Sequence, residues 1–315
     1  DAIYACNAST NVSVRLGALE DVERSEGEEI GLRVFVGQRS ASISASDMNP
    51  ATLGTLVDRC IAMAREAPED PYAGLAPEDR LLTRRPPALD LADEAEPEPA
   101  ALRERALIAE EAARSVPGIT NSEGGGASHG RSQVALATSH GFAGSYAGTT
   151  HSSWASVLAG SGAQMQRDHA SHSVRHLEDL DDPEAIGVRA GQRAVARLNP
   201  VKVESGVMPV IFDPRIGSSL LGHLVSGIVG PAIARRSSFL LDMLGEAIFE
   251  TGVSILDDPL LPRGLRSRPF DGEGLAVERR ALIDRGVLTG WLMDSASARP
   301  LGLEPTGHAS RGGRG

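Results

Sequence analysis

Apolar and polar residues alternate between Asn11 and Ser46, which is the pattern of β-strands with one buried face. The alternation is clearest in Val12–Leu16 and Ile30–Val36, so this part of the chain predicts a meander of strands. The period then changes to that of a helix. Asn49 is a good N-cap, Pro50 suits the first helical position, and one apolar face follows. That face consists of Leu53, Leu56, Val57, Cys60, Ile61 and Ala64.

Prolines and acidic residues dominate from Ala67 to Ala100, which prevents continuous regular structure and predicts a surface connection. The Ala-, Leu-, Glu- and Arg-rich stretch from Ala100 to Arg114 predicts a second helix. Pro117 and Gly118 follow it, and this pair is typical of a helix end.

Short alternating stretches between Ile119 and Val174 predict antiparallel strands joined by tight turns. Asp182-Pro183 opens a helix that continues to Leu198, and Asp213-Pro214 opens another by the same device. Residues 275–293 predict paired strands that turn at Asp284-Arg-Gly286.

These elements predict an α+β protein of three units. The first, residues 1–90, combines a sheet and a helix with the acidic connection, and the second, residues 91–205, contains antiparallel strands. The third, residues 206–315, is expected to be β-rich and to enclose a buried helix. The chain begins without methionine and finishes in a glycine run, so we expect the natural polypeptide to extend further at both ends.

The net charge of -11 disfavours direct binding to nucleic acid, because phosphate contacts need clustered basic side chains. The one lysine, Lys202, lies outside any glycine loop, which excludes a Walker-type nucleotide site. No apolar run approaches the roughly 18 residues of a membrane helix. Cys6 and Cys60 cannot build a disulfide framework, so we expect a cytoplasmic protein.

The helix opened by Asp213 carries one histidine, His223, among glycine, serine and aliphatic residues. A peptidase metal helix places a glutamate beside such a histidine and a second histidine about one turn later. Leu224 occupies the first of these places, and Gly227 or Ile228 occupies the second. We therefore expect His223 to be a hydrogen-bonded core residue, with a vestigial or substrate-facing role as the alternative.

A second candidate metal site is the run that contains His169, His172 and His176. On a helix the three imidazoles would share a face and could bind zinc. The neighbouring sequence predicts a strand, in which His169 and His172 point to opposite faces and cannot chelate together. Hydrogen-bonded or solvated histidines are the default expectation.

Asn121-Ser-Glu-Gly-Gly-Gly126 has the wrong spacing for a dinucleotide loop and predicts a glycine turn between strands. A secondary possibility is that Asn121, Ser122 and Glu123 line a cleft, where an edge strand binds peptide by strand addition.

Seven segments, in order along most of the chain, resemble the TldD/PmbA family. They are Thr120–Gly124, Ala137–Phe142, Gly217–His223, Ser237–Leu240, Phe270–Gly274, Gly286–Leu292 and Gly307–Arg311. In one branch of that family, TldD, a His-Glu-x-x-x-His helix and a distal cysteine form the metal site of a peptidase for small or unfolded peptides. The other branch, PmbA or TldE, lacks the motif and pairs with the first.

By this resemblance His223 matches the first histidine, Leu224 the glutamate and Ile228 the second histidine. Leucine and isoleucine have no lone pair or proton to offer, so the chain resembles the PmbA branch. The family's distal cysteine would fall after Gly315. The resemblance also implies an α+β fold with a β-rich C-terminal unit around this helix.

The resulting hypothesis is a metal-free subunit of a heterodimeric metallopeptidase active in proteolysis and peptide maturation. A TldD-like partner supplies the zinc, and this chain has no cofactor of its own and contributes to a peptide cleft near Asn121, Ser122, Glu123 and His223. Two alternatives stay open. One is an independent metal-dependent hydrolase that uses His169, His172 and His176, and the other is a regulator that acts indirectly on DNA gyrase, a role that the family's historical label suggests.

Overall fold

The computed structural model describes residues 1–311. Its main element is a six-stranded antiparallel sheet in the order β3-β2-β1-β4-β5-β6. The strands are β1 (Ala2–Arg15), β2 (Ala18–Val36), β3 (Arg39–Ala45), β4 (Ile119–Ala137), β5 (Ala143–Ala159) and β6 (Gln166–Val174). The α+β class is therefore confirmed. The terminal glycine run at 312–315 lies outside the described residues.

The sheet is continuous across the first two predicted units. β1 pairs with β4 from Ala2 opposite Ala137 to Val14 opposite Gly125. The strands of residues 1–90 and those of residues 91–205 thus form one structural layer, although the helices that cover it come from both segments.

The glycine turn predicted at Asn121–Gly126 is wrong, because β4 runs through it as a strand. These glycines instead allow α2 and the side chain of Trp154 to lie directly against the β4 backbone. A Cβ on Gly125 would lie 2.7 Å from the carbonyl oxygen of Ala106, and one on Gly126 would enter the indole of Trp154. Gly124 also has φ +117°, a conformation that favours glycine. The antiparallel strands predicted between Ile119 and Val174 are confirmed as three strands, β4, β5 and β6, the first two of which are longer than expected.

Three helices cover the sheet: α1 (Pro50–Glu66), α2 (Pro99–Arg114) and α3 (Pro183–Ala196). The predicted caps at Asn49 and Asp182 are confirmed, since their side chains accept hydrogen bonds from the amides of Ala51 and Glu184. α1 packs on β2 and β3, whereas α2 and α3 pack on β1, β4, β5 and β6 and on each other.

The core between the sheet, α2 and α3 is built from small side chains. It contains Ala109, Ala113, Ala155, Val157, Ala159, Ala170, Ile186, Ala190 and Ala194. Two glycines of α3 bring the helices together, because a Cβ on Gly187 would collide with the carbonyl oxygen of Ala109, and one on Gly191 would lie 2.7 Å from that of Ala113. The α2–α3 contact is thus a backbone-to-backbone approach.

The third unit begins with α4 (Pro214–Ile228) and α5 (Gly230–Ala234) and ends with α6 (Ser295–Ala298). Its sheet contains β7 (Ile255–Asp257), β8 (Arg280–Asp284) and β9 (Val287–Leu288). The hairpin predicted at Asp284–Gly286 is confirmed, with positive φ at Arg285 and Gly286. The strands are short, so the expectation of a β-rich unit is not confirmed within residues 206–311.

The segment Leu89–Asp93, which we call the strap, lies between α1 and α2 in the sequence and is bonded to β5. Leu89 and Leu91 are buried, so this part of the predicted surface connection is packed. The Leu91 carbonyl oxygen accepts from Thr149 N at 2.9 Å, and the Leu89 carbonyl oxygen accepts from Arg263 N at 2.7 Å. The Arg263 guanidinium also contacts Asp90 at 2.6 Å, which links the strap to the third unit.

The outer edge of β2 is paired only in part. β3 covers Ile30–Val36, whereas residues 18–29 have β1 on one side and no strand of the described chain on the other. This half of β2 is exposed and rich in acidic side chains.

Among residues 1–311, every helix falls short of the length and apolarity that a bilayer crossing requires.

Candidate functional site

The helix α4 carries the positions that sequence comparison relates to a metal motif. Asp213 caps it by accepting from the Arg215 amide at 2.9 Å. The Arg215 guanidinium reaches Asp168 of β6 at 2.6 Å and so ties the start of α4 to the large sheet. The predicted helix opening at Asp213-Pro214 is confirmed.

The expectation that α4 is a buried helix is wrong for most of its length. Only Leu224, Gly227 and Ile228 are buried. Four apolar side chains are substantially exposed: Ile216, Leu220, Leu221 and Val225. The aliphatic residues span about half of the helix circumference, and the described residues cover only the middle of that apolar side.

The three motif positions have different environments. His223 is exposed, so the prediction of a hydrogen-bonded core histidine is wrong. Leu224 and Ile228 lie one helical turn apart on the covered stripe, with exposed fractions of 6% and 0%. They pack in a cluster with Ile233, Leu240, Leu282, Ile283, Leu288, Trp291, Met293 and Ala298. This donor set does not fit a zinc ion, because two of the three side chains are hydrocarbons in an apolar core.

We expect Ile228→Val to lower the free energy of unfolding by about 1 kcal/mol, because it removes one buried methylene from the cluster. His223→Ala should change it by less than about 0.5 kcal/mol, because the side chain is exposed. Urea denaturation of both variants measures the difference. Equal effects of the two substitutions would show that α4 presents a different side to the apolar cluster.

A cleft of about 910 Å³ lies beside α4 and the small sheet. Val225 and Val229 form part of one wall, and Asp257, Arg268 and His308 are among its polar lining residues. Asp258, also in the lining, is paired with Arg279 at 3.2 Å. The cleft thus combines an apolar wall with charged groups of both signs, as small-molecule and peptide sites do.

His308 is held in the cleft by two polar contacts. Its Nε2 lies 3.1 Å from Asp257 Oδ2, and its Nδ1 lies 2.8 Å from Thr306 Oγ1. The Thr306 hydroxyl already accepts from the Met293 amide at 2.8 Å. Because the Asp257 carboxylate can only accept, we assign the imidazole proton to Nε2, which donates to it. Nδ1 then accepts from the Thr306 hydroxyl, so neither ring nitrogen is free for a ligand.

The predicted cleft residues Asn121, Ser122 and Glu123 lie elsewhere, at the start of β4. Glu123 is engaged with Arg167 at 3.1 Å and Ser156 at 2.9 Å. Asn121 is exposed, and its Oδ1 accepts from the Ser122 amide. A substrate-contacting role for Asn121 or Glu123 stays a prediction. Neither these two residues nor His223 is among the lining residues of the cleft beside α4.

Ser122 has a structural environment. It is fully buried, and its hydroxyl donates to Glu110 Oε1 at 2.5 Å. The Glu110 carboxylate, itself 1% exposed, also accepts from the Leu16 amide at 2.7 Å and the Gly17 amide at 2.9 Å. Glu110 therefore joins α2, β4 and the turn between β1 and β2.

His169, His172 and His176 do not converge. His169 is exposed on β6, and His172 Nδ1 accepts from the Asp181 amide at 3.0 Å on the other face. His176 follows the strand, and its Nε2 lies 2.9 Å from the strap carbonyl of Asp90. The expected separation of His169 from His172 is confirmed. Residues 1–311 contain no group of three or more His, Cys, Asp or Glu side chains arranged to hold a metal ion.

Another pair of histidines escaped the sequence-based search. His129 of β4 and His151 of β5 are Cα partners, and their ring centroids are 4.8 Å apart. Burial lowers the pKa of both side chains, and the neighbouring His129 lowers that of His151 further. The signal in the sequence is a histidine on the inner face of each strand, but only the register shows that the two meet.

Family models match three successive parts of the chain. Residues 7–64 match PmbA/TldA metallopeptidase domain 1, residues 92–198 match the central domain, and residues 205–315 match the C-terminal domain.

Full-length relatives agree with these models. The chain is 39% identical to the metalloprotease PmbA of Escherichia coli O157:H7 over 300 residues, which are 95% of this chain and 66% of that protein. It is 33% identical to the PmbA homologue of Haemophilus influenzae over the same shares of the two chains. The chain thus spans just under two thirds of the length of these relatives.

Solved structures share the fold. A Bacteroides thetaiotaomicron protein described as a candidate modulator of DNA gyrase superposes with a TM-score of 0.91 at 29% identity, over 98% of this chain and 71% of that one. TldE of Thermococcus kodakarensis superposes with a TM-score of 0.87 at 22% identity, over 99% and 70% respectively.

Proposed function

Because the chain belongs to the PmbA/TldD family of metallopeptidase-type proteins, we propose that it is the metal-free subunit of a two-subunit peptidase. One observation carries the proposal: Leu224 and Ile228 occupy the motif positions and are packed in an apolar core. No hydrolytic step can be routed through these residues, because neither binds a metal nor activates water.

In this proposal a TldD-like partner holds the zinc, which supplies the Lewis acid and the activated water when bound. This chain supplies the wall of a cleft for small or unfolded peptides in the cytoplasm, in proteolysis and peptide maturation. The Asp257 carboxylate, which His308 holds in place, offers an oriented acceptor to such a peptide, and Val225 and Val229 offer an apolar surface. His308 orients Asp257 and does not itself bond the peptide, since both its nitrogens are engaged.

The distribution of relatives supports a two-subunit arrangement. Haemophilus influenzae has a PmbA homologue that is 33% identical to this chain. The same organism has a TldD homologue that is 29% identical over 123 residues, or 39% of this chain. Two branches of the family therefore occur side by side in one organism.

We expect the purified chain to bind less than stoichiometric zinc and to leave an unstructured fluorogenic peptide intact. Addition of a TldD-like partner should give a complex with zinc and peptide hydrolysis. Metal analysis and a fluorescence assay on the chain, the partner and the mixture measure both properties. Stoichiometric zinc together with hydrolysis in the isolated chain would overturn the proposal.

A partner whose own glutamate in the His-Glu-x-x-x-His motif is replaced by glutamine provides the matched control. The mixture should then retain the complex and lose hydrolysis. If hydrolysis persisted, the catalytic groups would lie in this chain, and the proposal of a metal-free subunit would fail.

A second candidate function is regulation of DNA gyrase, which the description of the Bacteroides relative favours. The net charge of -11 argues that any such effect is indirect. Binding of the purified chain to duplex DNA that weakens as salt is raised would contradict this view.

A further inference from the structure

A second, smaller cavity of about 370 Å³ adjoins the cleft beside α4. Glu278 and Gly307 line both spaces, so the cavity and the cleft are contiguous at these two residues. We call the smaller space the arginine pocket, because Arg80, Arg84 and Arg280 are among its lining residues. A ligand that lies in the cleft can therefore extend into the arginine pocket.

The three arginines come from two distant segments of the chain. Arg80 and Arg84 belong to the connection between α1 and α2, whereas Arg280 is the first residue of β8. The connection is bonded to the third unit, because the Leu82 amide donates to the Gly274 carbonyl oxygen at 2.9 Å. Guanidinium groups suit oxyanions, since they are always charged and present several N–H donors in one plane. The fold thus brings three such groups to one small space.

The donors of these arginines are not taken up by carboxylates. Among residues 1–311, none of the three guanidiniums forms an ion pair with Asp or Glu. Arg80 Nη2 donates to the Pro305 carbonyl oxygen at 3.2 Å, and Arg280 Nε is buried without a hydrogen-bond partner in the described chain. A buried donor without an acceptor is costly, so an anion beside Arg280 would be stabilising.

The neighbouring arginine in the sequence shows the contrast. Arg279 is exposed and does not line the pocket, and its Nε lies 3.2 Å from Asp258 Oδ2. Arg279 thus has its counter-ion within the chain, whereas the arginines of the pocket do not.

The pocket and the cleft have opposite charge. Two carboxylates, Asp79 and Glu278, also line the arginine pocket, so its three guanidiniums leave one net positive charge. The cleft has more carboxylates than guanidiniums in its lining: Asp257, Asp258, Glu278 and Asp294 against Arg266 and Arg268. The field along the two spaces therefore favours a ligand whose anionic group enters the arginine pocket.

We propose that the arginine pocket binds a carboxylate of the peptide that lies in the cleft, either the C-terminal carboxylate or that of an acidic side chain. This inference rests on the proposed function, since it requires a peptide in the cleft. The volumes agree with such a division. Ligand sites span roughly 300–1,000 Å³, and the cleft is near the upper end of this range and the pocket near the lower end. The pocket thereby selects peptides by charge and sets their direction in the cleft.

Isothermal titration calorimetry of the whole chain with three N-acetylated hexapeptides tests the assignment. One consists of glycine, alanine and valine and ends in a carboxylate, the second has the same sequence and ends in an amide, and the third ends in glutamate amide. At pH 7 and low salt, we expect at least one anionic peptide to bind at least tenfold more tightly than the neutral amide. Tighter binding of the first identifies a C-terminal carboxylate, and tighter binding of the third identifies a side chain.

Substitutions in the pocket should remove this preference. Arg84→Gln keeps a polar side chain and removes one guanidinium, so we expect the preference for the anionic peptide to fall at least threefold. Arg280→Gln should have the same effect. Arg85→Gln is the matched control, because Arg85 follows Arg84, is exposed and does not line the pocket. It should bind all three peptides as the unmodified chain does.

Equal affinities for the three peptides, or no measurable binding of any of them, would overturn the proposal. So would a preference that persists undiminished in Arg84→Gln and Arg280→Gln. If Arg280→Gln does not fold, the comparison of Arg84→Gln with Arg85→Gln decides.

Failure of this inference can be distinguished from failure of the proposed function. A chain without the carboxylate preference whose mixture with the TldD-like partner still hydrolyses peptide would refute the role of the pocket alone. A chain that shows the preference but gives an inactive mixture would refute the two-subunit peptidase alone.

Discussion

Replacement of Glu110 by alanine is expected to lower the free energy of unfolding by about 3–4 kcal/mol, as is typical when a buried charged hydrogen-bond acceptor is removed. The variant leaves the amides of Leu16 and Gly17 and the hydroxyl of Ser122 without their acceptor. The turn at Leu16 and Gly17 has positive φ at both residues, so it also loses the contact that holds it in place. Urea denaturation followed by circular dichroism measures the change.

Glu111→Ala is the matched control, because Glu111 is the next residue of α2 and is exposed. It should alter stability by less than about 0.5 kcal/mol. Ser122→Ala removes one donor and keeps the carboxylate, so we expect an intermediate loss of about 1–2 kcal/mol. A Glu110→Ala chain as stable as the Glu111→Ala chain would show that the carboxylate is not the junction of these three elements.

Gly187→Ala is expected to destabilise the chain by about 2–3 kcal/mol, near the upper end for overpacking. The new methyl group would meet the carbonyl oxygen of Ala109 and lie 2.8 Å from the Ala112 Cβ, so α2 and α3 must separate. Separation opens gaps in the alanine-rich core that both helices share with β5. Thermal and urea denaturation should both show the loss.

The same substitution at Gly54 isolates the effect of packing. Gly54 lies within α1, and a Cβ there would have no neighbour within 4 Å. Gly54→Ala should therefore raise stability by about 0.5–1 kcal/mol, through the higher helix propensity of alanine. If both variants were stabilised, the close approach of α2 and α3 would be wrong.

Helix openings could be predicted because their signals are local. Asn49, Asp182 and Asp213 each precede a proline at the first helical position, and a cap requires only its own next turn. The hairpin at Arg285 and Gly286 is equally local, since positive φ at two successive residues defines its turn. The family resemblance likewise rested on short segments in order.

Features that depend on distant partners could not be predicted. The glycines of β4 suggested a turn. Ala106 and Trp154, which leave no room for a side chain at Gly125 and Gly126, are remote in sequence. Ser122 looked like a cleft residue until Glu110 was placed beside it. The meeting of His129 and His151 depends on strand register, which a one-residue slip would reverse.

The exposed side of α4 was also predicted wrongly. Arg215, Ser219, His223 and Ser226 recur on one side of this helix and form a polar stripe, and the aliphatic residues occupy the opposite side. The burial of Leu224 and Ile228 and the exposure of His223 are decided by the small sheet of the third unit. The spacing of the polar residues was the signal in the sequence that predicts an exposed His223.

The unpaired half of β2 has a consequence for how copies of the chain behave in concentrated solution. Residues 18–29 carry Glu20, Asp21, Glu23, Glu26, Glu28 and Glu29, with Arg24 as the one basic residue. Two such edges brought together would place rows of carboxylates opposite each other, which opposes the strand-to-strand growth that starts fibrils. The carboxylates therefore protect the longest open edge of the sheet from pairing with the same edge of a second copy.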